Sequence, residues 1–238
     1  MYGACCVSSE VAAMPERAVI LAAGVGARLK WMTSYKPKAL MPVAGEAMIV
    51  HVIRRLAGQG IHDVAINVHH HADQIVRYLG DGSRFGVRLY FSREPRLLDS
   101  GGGVKQALSL LPGDGPVVVH NADVWSDVDL HRLAGLLEKN CDAALCLVPN
   151  PQHNPHGDFG LEEGWIIPQQ IACPSYTFSG ISVYKTSLFD GYPEGKSFPL
   201  SRVLSSLCNK RRLSGLVYRE NWLDVGRPRD LLRAMREA

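Results

Sequence analysis

The chain has 238 residues, of which 46% are hydrophobic and 21% charged, and its formal net charge is +3. These values are typical of a globular chain with a substantial core, and they exclude disordered, collagen-like and low-complexity classes. The small net charge does not favour a nucleic-acid partner. The longest apolar runs, such as residues 18–23, are far shorter than the ~18 residues of a membrane span, so we expect no membrane partner either.

The N-terminus and the cysteines indicate the compartment. Residues 1–14 lack the basic start and the continuous apolar stretch of a signal peptide. We expect a flexible extension over 1–14 and one domain over 15–238. The six cysteines form no C-x-x-C pair and no zinc-type cluster. This usage is typical of a reducing compartment, so the sequence predicts a cytoplasmic protein.

Apolar, strand-like runs alternate with helix-like segments along the chain. The predicted strands are Ala18–Ala22, Val64–Val68, Val87–Phe91, Pro116–His120, Ala143–Val148, Ser179–Tyr184 and Leu213–Tyr218. The predicted helices are Ala47–Gly58, Ala72–Leu79, Lys105–Leu111, Val128–Lys139 and Pro228–Ala238. This alternation predicts an α/β, Rossmann-like fold with a mostly parallel twisted sheet flanked by helices. Residues 150–176, rich in Pro, His and Gly, are interpreted as an irregular insertion.

The first predicted strand leads directly into a glycine-rich, basic loop. Gly24 and Gly26 allow the backbone to approach a ligand and to direct N–H groups at an anion, while Arg28 and Lys38 add positive charge. Ligands of open parallel sheets bind beyond the carboxyl ends of the strands, so we expect a polyphosphate here. A dinucleotide-binding turn requires a third glycine where Leu29 stands, and no Gly-Lys-Ser/Thr of a Walker A loop follows.

A second polar segment, Asn121-Ala122-Asp123, follows the strand that ends at His120. An aspartate at such a place either caps a helix or binds a metal ion, and Asp127 is better placed to start the next helix. One Mg²⁺ that bridges a triphosphate and the protein needs only one or two carboxylates. Asp123 is therefore a candidate metal ligand.

Two sets of motifs carry a family resemblance. Residues 21–28, Leu-Ala-Ala-Gly-Val-Gly-Ala-Arg, followed by Lys36-Pro37-Lys38, resemble the signature of sugar-1-phosphate nucleotidylyltransferases, although Trp31-Met32 replaces the usual Pro-Leu. Asn154–Gly160 and Thr177–Ile181 resemble segments of the N-acetylmuramate-1-phosphate uridylyltransferase branch. The resemblance covers residues 17–238 and implies the nucleotide-diphospho-sugar transferase fold, which is GT-A-like.

The resemblance also implies a reaction. UMP would pass from UTP to a sugar-1-phosphate, in particular N-acetylmuramate-1-phosphate, giving a UDP-sugar and pyrophosphate in cell-wall sugar recycling. The alternatives are a mannose- or heptose-1-phosphate guanylyltransferase, another sugar-1-phosphate uridylyltransferase, or a non-catalytic regulatory homologue. The expected partners are the two substrates and Mg²⁺, and the expected state is a monomer or weak homo-oligomer.

The site residues follow from the same resemblance. Arg28 and Lys38 are the expected catalytic residues. Asp123 and Asp224 are the expected Mg²⁺ ligands, the latter within Trp222–Gly226, which resembles the family's W-x-D-V-G-T-P motif. The expected nucleotide-binding residues are Leu21, Ala22, Ala23, Gly24, Gly26, Arg28, Lys38, Glu94, Gly101, Gly102 and Asn121, with the glycine triplet 101–103 packed against the nucleobase. The expected sugar-binding residues are Asp158, Phe178, Ser179 and Gly180, in two segments that face each other across the sugar. The neighbouring residues His69–His71 are interpreted as structural.

Overall fold

A computed structural model describes residues 14–24, 26, 33–137, 140–169, 174–226, 229–231 and 234. Arg28, Leu29 and all of the predicted N-terminal extension except Met14 lie outside the described residues. Within the described ranges no helix has both the length and the apolar character needed to cross a membrane.

The strands of the described residues are β1 (Arg17–Leu21), β2 (Pro42–Val43), β3 (Glu46–Ala47), β4 (Asp63–Val68), β5 (Arg88–Arg93), β6 (Val117–Asn121), β7 (Val124–Ser126), β8 (Ala143–Val148), β9 (Phe159–Glu162), β10 (Trp165–Pro168), β11 (Ser175–Tyr184), β12 (Leu213–Val217) and β13 (Trp222–Asp224). Nine of them form the mixed sheet at the centre of the fold, in the order β5-β4-β1-β6-β11-β8-β12-β10-β9. Two further pairs, β2–β3 and β7–β13, form short ladders beside it.

The sheet has a parallel half and a largely antiparallel half. β5, β4, β1 and β6 are parallel neighbours, whereas β11 runs antiparallel to both β6 and β8. β12 is parallel to β8, and the hairpin β9–β10 completes the far edge. The α/β, Rossmann-like class is confirmed, and the parallel order holds where strands and helices alternate in sequence.

Helices cover both faces of the sheet. They are α1 (Met48–Gly58), α2 (Ala72–Leu79), α3 (Asp99–Leu108), α4 (Leu130–Ala134) and α5 (Leu200–Asn209). Alternate residues of β1 serve opposite faces: Ala18 and Ile20 pack in the cluster with α1, α2 and α4, and Val19 packs in the cluster with α3 and α5. Because both faces are covered, the strand is apolar at successive positions.

Several elements differ from the sequence prediction. The helix predicted over Val128–Lys139 is shorter, since α4 covers Leu130–Ala134. The helix predicted from Lys105 begins at Asp99, so the glycine triplet lies inside it. The insertion at 150–176 contains the hairpin β9–β10 and the start of β11 rather than irregular chain only. Helix α5 was not predicted, although Leu200, Val203, Leu204 and Leu207 give it a buried face at helical spacing.

Candidate active site

A cleft of about 560 Å³ opens beyond the carboxyl ends of β1, β4, β5 and β6, the position at which open α/β sheets bind ligands. Five of the predicted nucleotide-binding residues line it, together with residues that were not predicted. Its lining residues are Leu21, Ala23, Gly24, Asn67, Glu94, Leu97, Asp99, Ser100, Asn121, Asp123 and Ser197.

The loop after β1 contains backbone N–H groups that are bonded within the protein and one glycine with open space beside it. The backbone N–H groups of Ala22 and Ala23 donate to Oδ1 of Asn67 at 2.7 and 3.3 Å, so they already have a partner within the protein. A Cβ placed on Gly24 would meet no atom within 4 Å. Gly26 has a φ of +64°, and a Cβ there would lie 2.7 Å from a Thr33 methyl carbon. Gly24 is therefore the described loop residue that presents open backbone to a ligand.

Lys38 is joined to this cleft through the cleft residue Asp123. It begins a 3-10 turn, Lys38–Leu40, after the rigid Pro37, and the turn is anchored by the buried Ala39 and Leu40. Its Nζ forms an ion pair with Oδ2 of Asp123, although the two residues are 85 positions apart. The side chains are only 12% and 23% exposed, so solvent screens this pair less than a surface pair. A cation and a candidate metal ligand thus lie together at the cleft.

The second predicted metal ligand is brought to the same place by the C-terminal segment. β13 pairs antiparallel with β7, which sets Asp224 opposite Val124, and the N–H of Val225 donates to the carbonyl of Asp123 at 2.9 Å. Leu223 and Val225 pack with Met41, and this packing stabilises the ladder. Asp123 and Asp224 are therefore neighbours across one short ladder.

The donors available at this ladder are hard carboxylate oxygens, which suit Mg²⁺. Among the described residues no group of three or more His, Cys, Asp or Glu side chains is arranged to hold a metal ion. An ion at Asp123 and Asp224 would therefore take its other ligands from phosphates and water, as Mg²⁺ commonly does.

A second cavity, of about 620 Å³, lies on the Asp224 side of the ladder. His153 enters it, with Nε2 3.7 Å from Oδ2 of Asp224. The lining residues are Pro149, Pro151, Gln152, His153, Trp222, Leu223, Asp224, Arg229 and Asp230. Asp123 lines the first cleft and Asp224 lines the second, and the backbone pairing of β7 with β13 places the two residues close together in the fold.

The predicted sugar segments contact each other directly. Asp158 donates its N–H to the carbonyl of Tyr176 at 2.7 Å, and its Oδ2 accepts from the N–H of Phe178 at 2.8 Å. Asn154 Nδ2 donates to the other carboxylate oxygen at 3.0 Å. The two segments are therefore joined directly where Asp158 meets Phe178, and their contact with a sugar stays a prediction.

Ser179 and Gly180 also have structural surroundings. Ser179 is 1% exposed, its hydroxyl accepts from the N–H of Ile181, and its carbonyl accepts from the Trp222 indole at 3.0 Å. A Cβ on Gly180 would lie 2.5 Å from Nδ2 of the cleft residue Asn121. Ser179 is therefore enclosed by protein and Gly180 packs against a residue of the 560 Å³ cleft, while their role in sugar binding stays a prediction.

Gly101 and Gly102 pack against another segment of the chain. Both of their N–H groups donate to the carbonyl of Phe198, at 3.0 and 3.1 Å. A Cβ on Gly101 would lie 2.4 Å from the Phe198 ring, and one on Gly102 would lie 2.3 Å from the carbonyl of Lys196. The two glycines thus allow residues 196–198, called the strap below, to lie against the helix, and their contact with a nucleobase stays a prediction. Ser197 of the strap in turn lines the cleft.

Sequence reasoning missed Asn67, Leu97, Asp99, Ser100 and Ser197 as cleft residues. Asn67 had a visible signal, since it is a polar residue in the otherwise apolar end of β4. Ser197 had none, because the strap reaches the cleft only through its contacts with α3.

The Rossmann-like fold, with a lysine and two carboxylates beside a glycine-rich loop at the sheet edge, defines the class of nucleotide-binding α/β transferases. The sequence matches the nucleotidyl transferase family over residues 17–238, and the chain belongs to that family. This membership confirms the resemblance to sugar-1-phosphate nucleotidylyltransferases.

Individual relatives agree with the family match. The chain is 40% identical to N-acetylmuramate alpha-1-phosphate uridylyltransferase of Neisseria meningitidis, over 88% of this chain and 93% of the relative. It is 32% identical to the protein of the same name from Caulobacter vibrioides, over 92% and 96%. Among solved structures, a Bacillus anthracis protein assigned as a glucose-1-phosphate thymidylyltransferase shares the fold, with a TM-score of 0.81, 22% identity, and coverage of 92% and 94%.

Proposed function

We propose that this chain transfers UMP from UTP to N-acetylmuramate-1-phosphate and releases pyrophosphate. The observation that carries the chemistry is the juxtaposition of Lys38, Asp123 and Asp224 at the ladder β7–β13, with Asp123 lining one cavity and Asp224 the other. The choice of nucleotide and sugar is supported by the names of the two relatives given above. UTP would occupy the 560 Å³ cleft, and the sugar phosphate would occupy the 620 Å³ cavity.

The reaction needs charge neutralisation more than proton transfer. A phosphate oxygen of the sugar phosphate attacks the α-phosphorus of UTP, and a new P–O bond forms as the bond to the β-phosphate's bridging oxygen breaks. Pyrophosphate leaves with that electron pair. Since the nucleophile is already an anion near neutral pH, the protein must chiefly hold two anions in line and offset their repulsion.

Lys38 is placed to do this, because the ion pair with Asp123 fixes its ammonium group at the end of the cleft. Arg28, which lies outside the described residues, stays a predicted ligand of the leaving phosphates. Asp123 and Asp224 would hold Mg²⁺, which when bound supplies further positive charge to the phosphates.

The binding site for the sugar phosphate is proposed from the charged side chains of the 620 Å³ cavity. N-acetylmuramate carries a lactyl carboxylate that N-acetylglucosamine lacks, and a selective site needs a polar or cationic partner for it. The 620 Å³ cavity contains His153 and Arg229, either of which can pair with a carboxylate. We therefore add the wall formed by residues 149–153 and 229 to the expected sugar contacts Asp158, Phe178, Ser179 and Gly180.

A pyrophosphate-release assay tests the proposal. UTP and GTP are each supplied with N-acetylmuramate-, N-acetylglucosamine- and mannose-1-phosphate. We expect UTP with the muramate to exceed UTP with N-acetylglucosamine-1-phosphate by at least about tenfold in kcat/KM, which is about 1.4 kcal/mol. Preference for GTP with mannose-1-phosphate would replace the substrates but keep the transfer chemistry. No pyrophosphate release with any pair would favour the regulatory alternative.

A further inference from the structure

A buried side-chain amide joins the two sides of the nucleotide cleft. Asn67 lies near the end of β4, which runs between β1 and β5, and it is 3% exposed. Its Oδ1 accepts from the N–H groups of Ala22 and Ala23, in the loop after β1. Its Nδ2 donates to Oε1 of Glu94, after β5, at 2.8 Å. One side chain thus bridges the loop and the opposite wall.

Glu94 extends the bridge to helix α3. This carboxylate is 4% exposed, and its second oxygen, Oε2, accepts from the N–H of Leu98 at 2.9 Å, directly before the helix. Ionised carboxylate oxygens accept hydrogen bonds and do not donate. Only the NH₂ group of Asn67 can therefore donate a hydrogen bond to Glu94. The amide oxygen of Asn67 is then left to accept from the loop after β1.

The pair is enclosed on a third side by α3. A Cβ placed on Gly103 would lie 2.5 Å from Nδ2 of Asn67 and 2.8 Å from Oε1 of Glu94. The helix can pack this closely only because the residue is glycine. Helix α3 therefore closes one side of the Asn67–Glu94 pair.

We propose that Asn67 is a positioning residue for the nucleotide. It holds the first turn of the glycine-rich loop at a set distance from the wall formed by residues 94–98. It also occupies the N–H groups of Ala22 and Ala23, which leaves Gly24, with open space beside it, as the next backbone along the loop to meet the ligand. A loop held in its binding position before the nucleotide arrives avoids the cost of ordering it on binding. The proposal rests on the nucleotide occupying the 560 Å³ cleft, as proposed above.

An exchange of donor and acceptor tests the bridge. Asn67→Asp keeps an oxygen for the loop but faces Glu94 with a second oxygen. Glu94→Gln offers one oxygen to two buried N–H donors. In the double variant N67D/E94Q the new amide at position 94 donates to the new carboxylate at position 67, and its oxygen accepts from Leu98. Every donor then has a partner again, and the pair still holds one carboxylate and one carboxamide.

The dissociation constant for UTP is measured by calorimetry, and the melting temperature is recorded for each variant. We expect each single variant to weaken UTP binding by at least about tenfold, the effect of losing roughly one well-made hydrogen bond. The double variant is expected to return to within about threefold of the wild type. Either single variant suffices for the comparison if the other does not fold.

Asp63→Asn is the matched control. Asp63 lies on the same strand, is 5% exposed, and accepts from Arg88 Nε and Nη2 at 2.7 and 2.6 Å at the end away from the cleft. This variant should lower the melting temperature and leave UTP binding unchanged.

Three results would overturn the proposal. If the single variants melt earlier but bind UTP as the wild type does, Asn67 is structural only. If the double variant recovers its melting temperature but not its affinity, the Glu94 carboxylate contacts the nucleotide itself. If the wild type binds neither UTP nor GTP, the proposed function fails as well, and this result is distinct from the other two.

Discussion

The stability of this protein should depend on pH through one buried histidine. His120 lies on β6, next to the cleft residue Asn121, and its Nδ1 is 2.8 Å from the Asn121 carbonyl. Because the carbonyl can only accept, Nδ1 carries the proton of the neutral ring. Burial lowers the pKa of His120 from 6.5 to about 4, against smaller opposing effects of the Asn121 hydrogen bond and the Asp123 charge. The folded protein therefore prefers the neutral ring.

The sign and size of the effect follow from these two values. Above pH 6.5 the ring is neutral in both the folded and unfolded states and contributes no pH dependence. Between pH 6.5 and about 4 the unfolded chain binds a proton at His120 that the folded protein does not, so stability falls as the pH falls. The slope approaches about 1.4 kcal/mol per pH unit, and the whole loss is about 3 kcal/mol.

The assay is urea unfolding of the wild type and of His120→Asn at pH values from 8 down to 4. Asparagine places an amide nitrogen near the position of Nδ1 and does not titrate in this range. The variant should be less stable at pH 8, because it loses ring packing, but the difference between the two proteins should shrink by about 3 kcal/mol toward pH 4. Carboxylates that titrate in the same range are common to both proteins and cancel. Parallel stability curves would refute the reasoning.

Three further predictions concern the site and its supports. Asp123→Asn and Asp224→Asn should each lower kcat by about 100-fold in steady-state kinetics. The double variant should be little worse than either single variant, because both carboxylates act on one ion, whereas losses that multiply would mean separate roles. Lys38→Ala should lower kcat by at least about tenfold, and a loss below about threefold, less than 1 kcal/mol, would contradict its assigned role. Gly101→Ala, whose Cβ would lie 2.4 Å from a ring atom of the strap, should cost about 1–3 kcal/mol in urea unfolding, whereas Gly58→Ala, with open space around it, should not destabilise the protein.

Local sequence patterns identify those strands and site residues whose signals lie within a few neighbouring residues. β1 and β8 were recognised within a residue or two because strands covered on both faces are apolar at successive positions. Gly24, Lys38 and Asp123 were found because a glycine-rich loop, a proline-stiffened lysine and a carboxylate after a strand are each short-range signals. The sheet-edge rule then predicted that they share one cleft, and the cleft residues Gly24 and Asp123 do.

Tertiary structure decided the partners that these residues meet. Asp224 reaches Asp123 only because β13 pairs with β7, and the register of that ladder depends on packing between segments about a hundred residues apart in sequence. The packing of Gly101 against the strap has no signal in the sequence. Asn67 is a polar residue in an otherwise apolar strand, and its hydrogen-bond partners depend on β4 lying between β1 and β5. Periodicity encodes which face of an element is buried, but the partner of a buried polar group is set by the order in which the strands assemble.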